Sequence, residues 1–232
     1  MVSLARSRFQ TRRRPKGQLL VPILLLGVVS LLVVGLVALL LWPRWPTGPV
    51  ALDAPALPIT VGGTAFNVPP ASIRAAVLRH AGAQERIDLA FAWPSLSPPD
   101  PAEKRAPSAN PFDRVFITIV DAGGALAPED RIKTVYPRYV EKDPSAGPDG
   151  LLVLAFREDT PYHGEDLVYD PSAPERFVVR CTRTAGPAVG TCLYERRIGG
   201  ADATVRVLRS WLDDWRAVAA GIDRLLSTLT SK

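Results

Sequence analysis

Residues 175–198 read ERFVVRCTRTAGPAVGTCLYERRI, two runs rich in Val, Phe, Leu and Tyr on either side of a Gly- and Pro-bearing connection. That composition predicts a β-hairpin. If Cys181 faces Cys192, then Val179 faces Tyr194 and Phe177 faces Arg196, which keeps the apolar residues largely on one side. A slip of one residue in the turn is the alternative register. The strands on either side extend the pattern. ATVRVL (203–208) adds a strand, and RIDLAFAW (86–93) alternates, with Ile87, Leu89, Phe91 and Trp93 on one face. FDRVFITIV (112–120) and LLVLAF (151–156) are apolar on both faces and read as central strands.

Helices punctuate this sheet. PEDRIKTVY (128–136) reads as a short helix, with Pro128 in its first turn and Pro137 ending it. A second is expected near Ser72–Ala81. At the C-terminus, Ser210 with Asp213 suggests a capping box, and Trp211, Trp215, Val218, Ile222, Leu225, Leu226 and Leu229 share one helical stripe. A stripe of this kind marks core. The fold class is therefore α+β, a largely antiparallel sheet packed by a C-terminal amphipathic helix.

Whether the two cysteines oxidise depends on compartment, which the N-terminus addresses. Residues 19–41 are uncharged, and at about 1.5 Å per residue they span a hydrocarbon core of about 30 Å. The run exceeds the h-region of a secretory signal and is followed by Trp42, Pro43 and Arg44 rather than by a small-residue cleavage site. Arg12-Arg13 suggests a twin-arginine export signal, but Pro15 and Lys16 stand where that signal needs an apolar residue. A retained signal anchor is expected. Arg6, Arg8, Arg12, Arg13, Arg14 and Lys16 precede it without an acid, which places the N-terminus in the cytoplasm and the remainder outside. Trp42 and Trp45 fit an interfacial belt. The expected organisation is a basic cytoplasmic tail (1–18), a transmembrane helix (19–42), a proline-rich spacer (43–58) and an extracytoplasmic domain (59–232) carrying a long loop at 95–111. The location expected is the cell inner membrane, with the domain periplasmic. There an even pair of cysteines oxidises, and Cys181 with Cys192 is the expected disulfide.

Charge bears on partners. The chain has 28 Lys and Arg against 23 Asp and Glu, but six of those cations lie in the tail, leaving 22 against 23 beyond it. The domain therefore lacks the basic surplus of a nucleic-acid binder. The tail enforces topology, or, as an alternative, binds anionic lipid. Partners expected are the lipid bilayer and an envelope protein. Gly27 and Gly35 are eight apart, so the four-residue spacing of small residues that packs membrane helices is missing and oligomeric state is not signalled. The 95–111 loop holds five prolines in 17 residues, a length at which loops are either mobile or partner-binding.

Catalytic signatures are sparse. The sequence has no phosphate-loop, dinucleotide-fold, His-Glu-x-x-His, Gly-x-Ser-x-Gly or Cys-x-x-Cys motif, and no cofactor, metal ligand set or catalytic residue is expected. Only two histidines exist. His80 would close the helix expected near it. His163 sits among Asp159, Glu165, Asp166 and Asp170, a mixture that offers the competing reading of a small hydrolase or metal-dependent enzyme.

FNVPPASIR (66–74) and RIDLAFAWPSL (86–96), followed by the cysteine hairpin and the tryptophan-bearing final helix, resemble modules of bacterial single-pass envelope proteins. The resemblance covers most of residues 59–229 and implies no activity or catalytic residue. The leading expectation is a membrane-anchored binding or envelope-support domain without catalysis.

Overall fold

A computed structural model describes residues 20–41, 50–100, 113–183 and 189–230. The chain divides into two compact units, residues 1–45 and 46–232. The first contains α1 (Leu20–Leu41), uncharged throughout and long and apolar enough to cross a membrane. Pro22 lies in its first turn, where the missing N–H leaves no helical bond unmade.

The second unit is α+β. Its strands are β1 (Leu57–Val61), β2 (Thr64–Val68), β3 (Gly82–Ala83), β4 (Arg86–Ala92), β5 (Arg114–Asp121), β6 (Ser145–Ala146), β7 (Leu152–Ala155), β8 (Glu165–Tyr169), β9 (Val178–Thr182), β10 (Thr191–Ile198) and β11 (Ala201–Leu208). Eight of them form one antiparallel sheet in the order β4-β5-β11-β10-β9-β8-β7-β6, and β2-β1-β3 form a second, small sheet. The helices are α2 (Pro128–Thr134) and α3 (Trp215–Thr230).

Alternation decides what the large sheet buries. One row across it, Leu89, Ile117, Val205, Tyr194, Val179, Val168 and Val153, follows directly from the pairing register. Together with Ile59, Val61 and Phe66 of the small sheet and Val218, Ile222 and Leu229 of α3, these side chains form the main core, with Val153 packed at its margin. A buried aliphatic side chain contributes roughly 1.5–3 kcal/mol over an exposed one, so the apolar stripe of α3, not its intrinsic propensity, holds the helix to the sheet.

Four sequence expectations are revised. No α-helix forms over residues 72–81; two 3₁₀ turns, Pro70–Ser72 and Ala76–Leu78, stand there instead. Between them Ile73 bridges Leu89 and the Arg74 N–H donates to the Asp88 carbonyl at 2.9 Å, so the edge of β4 takes the backbone bonds a helix would need. The Ser210–Asp213 capping box does not form, because residues 209–214 are a 3₁₀ segment without a side-chain cap and α3 begins only at Trp215. The strand inside LLVLAF is next to the outermost of the sheet rather than central. Its second apolar face is covered by a separate cluster, described below. Finally, the spacer expected to run to residue 58 gives way to β1 at Leu57. Within the 95–111 loop, residues 101–111 lie outside the described residues.

Candidate functional site

The face of the large sheet turned away from α3 carries its own apolar cluster. Proline at the start of α2 and acids in its first turn favour a helix there, and the 3₁₀ turn Tyr136–Arg138 follows it directly. Tyr136, Val140 and Phe156 then pack on Leu167 of β8 and Val178 of β9. Tyr136 meets Phe156 and Tyr162 edge-on, with ring centroids 5.6 and 5.4 Å apart, a favoured aromatic geometry.

Charges are threaded through this cap. The Tyr136 hydroxyl donates to Glu195 Oε2 at 3.3 Å, and Arg131 stands 3.4 Å from Glu195 Oε1. The Arg180 guanidinium lies 4.9 Å over the Tyr162 ring. Its Nε is 3.1 Å from Glu165 Oε2, an ion pair in which these two atoms form no hydrogen bond. Burial, then the nearby Glu195 charge, pushes the Tyr136 hydroxyl up to about 12, so it remains a protonated donor at neutral pH.

Beside the cap opens an apolar cleft of about 310 Å³, lined by Ile132, Val140, Leu154, Leu167 and Tyr169, with Glu141 and Lys142 also at its wall. Its volume is at the low end for binding pockets.

His163 occupies an exposed turn between β7 and β8, where its N–H donates to the Thr160 carbonyl at 3.2 Å and its Nδ1 lies 3.3 Å from the same oxygen. The acids near it in sequence are held elsewhere. Asp159 pairs with Arg157, Glu165 with Arg180 and Asp166 with Arg183 and Arg209, while Asp170 accepts from the Ser172 N–H and hydroxyl. Glu165 and Asp166, adjacent on a strand, point to opposite faces. Among the described residues no group of three or more His, Cys, Asp or Glu is placed to hold a metal ion. His80 is exposed after the second 3₁₀ turn, with Nδ1 3.1 Å from the Ala81 carbonyl.

On the core side, β9 and β10 pair with Cys192 opposite Cys181 and Tyr194 opposite Val179. Both cysteines are fully buried, and their sulfurs stand at disulfide distance, 2.05 Å. Opposite Cys181, on β8, is Asp166, a buried carboxylate that accepts from Arg183 Nε at 2.9 Å and from Arg209 at 2.7 Å. Arg183 also reaches Glu158 and the Phe156 carbonyl, and Arg209 the Thr182 carbonyl. One carboxylate thus ties the β7–β8 turn, the end of β9 and the end of β11 together. Sequence reasoning placed Asp166 beside His163 and missed this role, since its partners lie 17 and 43 residues away.

The membrane-interface residues Trp42, Trp45, Arg12, Arg13 and Arg14 lie outside the described residues.

No family model matches the chain, and no curated protein matches it. Two solved structures are similar to it. One is Smlt3025, an immunity protein of the Stenotrophomonas maltophilia type IV secretion system, 14% identical, with a TM-score of 0.51 over 80% of this chain and 100% of that one. The other is FrpD, an iron-regulated outer membrane lipoprotein of Neisseria meningitidis, 11% identical, with a TM-score of 0.48 over 79% of this chain and 96% of that one. The first likeness establishes a shared fold; the second, at its TM-score, carries no argument.

Proposed function

We propose that the chain is a single-pass protein of the inner membrane, N-terminus cytoplasmic and C-terminal domain periplasmic, that binds a protein partner in the envelope and performs no catalysis. The observation that carries this reading is the apolar cleft bounded by Leu154, Leu167 and Tyr169 beside a cap whose charges are already paired. Such a surface offers complementary contact and a fixed shape, the requirements of an interface core. The acids that would have served His163 are each engaged by another residue, which removes the main support for the hydrolase or metal-enzyme reading.

The test places a photo-crosslinking side chain at Tyr169 in the full-length protein in intact cells, with Arg206 on the uncovered part of the same sheet face as the control position. A discrete protein adduct is expected from Tyr169, absent from Arg206 and lost when Leu154→Arg fills the cleft wall with charge. Absence of any adduct from the cleft overturns the reading.

A further inference from the structure

A second cleft, also of about 310 Å³, lies on the other side of the domain, between the loop joining β8 to β9 and the exposed side of α3. Its chemistry differs from that of the apolar cleft. Arg176 and Asp170 stand on the loop wall, Arg216 and Asp223 on the helix wall, and Ala219 and Ala220 leave the room between them. The loop is built rather than slack. Asp170 N–H donates to the Phe177 carbonyl at 3.1 Å, and Arg176 N–H to Ala173 at 2.9 Å. From below, the buried Tyr194 hydroxyl donates to the Arg176 carbonyl at 3.2 Å and lies 3.5 Å from Asp223 Oδ1, so a single hydroxyl spans the two walls and sets their separation. Arg196 also donates to the Arg176 carbonyl and to the Tyr194 hydroxyl, behind the cleft rather than in its lining.

The charges in this cleft are unequally committed. Arg216 pairs with Asp149 and stacks on Trp215, and Asp170 is occupied by Ser172. Among the described residues the Arg176 guanidinium forms no ion pair, and the one hydrogen bond at the Asp223 carboxylate is the long contact from Tyr194, whose hydroxyl Arg196 also reaches. One cation and one carboxylate are therefore left facing the same small volume from opposite walls.

We propose that this cleft binds a small zwitterion, an α-amino acid or a short peptide presenting both termini, with Arg176 taking the carboxylate and Asp223 the ammonium. A guanidinium is suited to a carboxylate by its paired N–H groups. The alternatives fit less well. A phosphorylated or purely anionic ligand would meet two carboxylates as well as two cations. A sugar would want an open aromatic face, whereas Trp215 and Phe177 are 7% and 2% exposed and Arg216 covers the indole. This site is independent of the protein partner proposed above, and each stands or falls separately.

The experiment is calorimetric titration of the full-length protein in detergent with four probes: alanine, alanyl-alanine, N-acetylalanine and alaninamide. At least one of the first two is expected to bind with a Kd of about 1 mM or tighter. The two blocked forms, each lacking one charge, are expected to bind about tenfold more weakly or worse. Binding of alanine identifies a free amino acid as sufficient, and binding of alanyl-alanine alone identifies a peptide. Arg176→Gln should abolish the preference for alanine or alanyl-alanine over alaninamide, and Asp223→Asn the preference over N-acetylalanine, both with the melting temperature unchanged. The proposal is overturned if neither zwitterion binds at about 10 mM, if a blocked form binds as tightly as its parent, or if both variants keep wild-type selectivity. Should a variant fold poorly, the comparison of the four probes on the wild-type protein still decides.

Discussion

Asp166 and Arg209 are joined by a 2.7 Å ion pair across 43 residues of chain. The carboxylate is buried and the two arginines on it are only about one-third exposed. Removing the carboxylate leaves two cations facing each other over buried sheet. Asp166→Ala should therefore lower the unfolding free energy by about 2–4 kcal/mol, somewhat below the cost of breaking a wholly buried pair because the arginines retain some water. Removing the exposed Arg157–Asp159 pair should cost about 0.5 kcal/mol or less. Equal effects in denaturant titrations would remove the distinction.

The turn between β1 and β2 meets the turn between β10 and β11 backbone to backbone. Gly62 has φ +54°, and a Cβ on it, or on Gly200, would fall on the other residue's carbonyl. Thr64 closes the contact by donating to the Ile198 carbonyl at 3.2 Å and accepting from the Gly200 N–H at 2.9 Å. Gly200→Ala should cost about 1–3 kcal/mol, since rigid backbone has to move. Gly63→Ala is the instructive comparison: Gly63 has φ +75° but open space around it, so only conformational strain is added there and the loss should be smaller.

These residues show where the fold was legible. β4 could be read because Ile87, Leu89 and Phe91 bury on one face, and the β9–β10 register because the cysteines and the apolar residues agree on one pairing. The β1–β2 hairpin was hidden by the prolines ahead of it, although Gly62-Gly63 occupies its turn. Residues 72–81 had acceptable helical spacing, but a neighbouring strand edge took the backbone of Ile73 and Arg74. LLVLAF was apolar on two faces because Tyr136 and Val140 cover one of them, and no local pattern tells a covered near-edge strand from a central one. The same holds for the sites. Asp166 and its arginines, like Arg176 and Asp223, are brought together by strand order and helix docking over distances that sequence spacing does not encode.

Acid should expose the contribution of Asp88. Hydrogen bonding from Arg86, with a further bond donated by Thr118, holds its carboxyl below the usual carboxylate range despite partial desolvation. A depressed folded pKa contributes stability above the unfolded value, and that stability is lost as pH falls through the folded value. Wild type should therefore exceed Asp88→Asn in melting temperature at neutral pH, with the gap narrowing as pH drops below about 4. A gap that persists or widens in acid would contradict the assignment.

The cysteine pair tests structure and compartment together. Cys181 and Cys192 are fully buried and directly opposed, and cross-linking them closes a short loop whose entropy in the unfolded chain stabilises the domain by up to about 3 kcal/mol. Cys181→Ala with Cys192→Ala should lose a comparable amount. Because Asp166 pairs with Cys181 in the neighbouring strand, combining that double change with Asp166→Ala should give a non-additive loss, as expected for residues in contact. Oxidation itself depends on where the domain resides, since reducing cytoplasm keeps such thiols apart. Full-length protein taken from cells with thiols blocked before lysis should have an intact mass showing no alkylated cysteine. Protease added to spheroplasts should also digest the domain without lysis. Two alkylated cysteines together with a protected domain would refute the periplasmic placement, whereas two alkylated cysteines in a digested domain would refute only the bond.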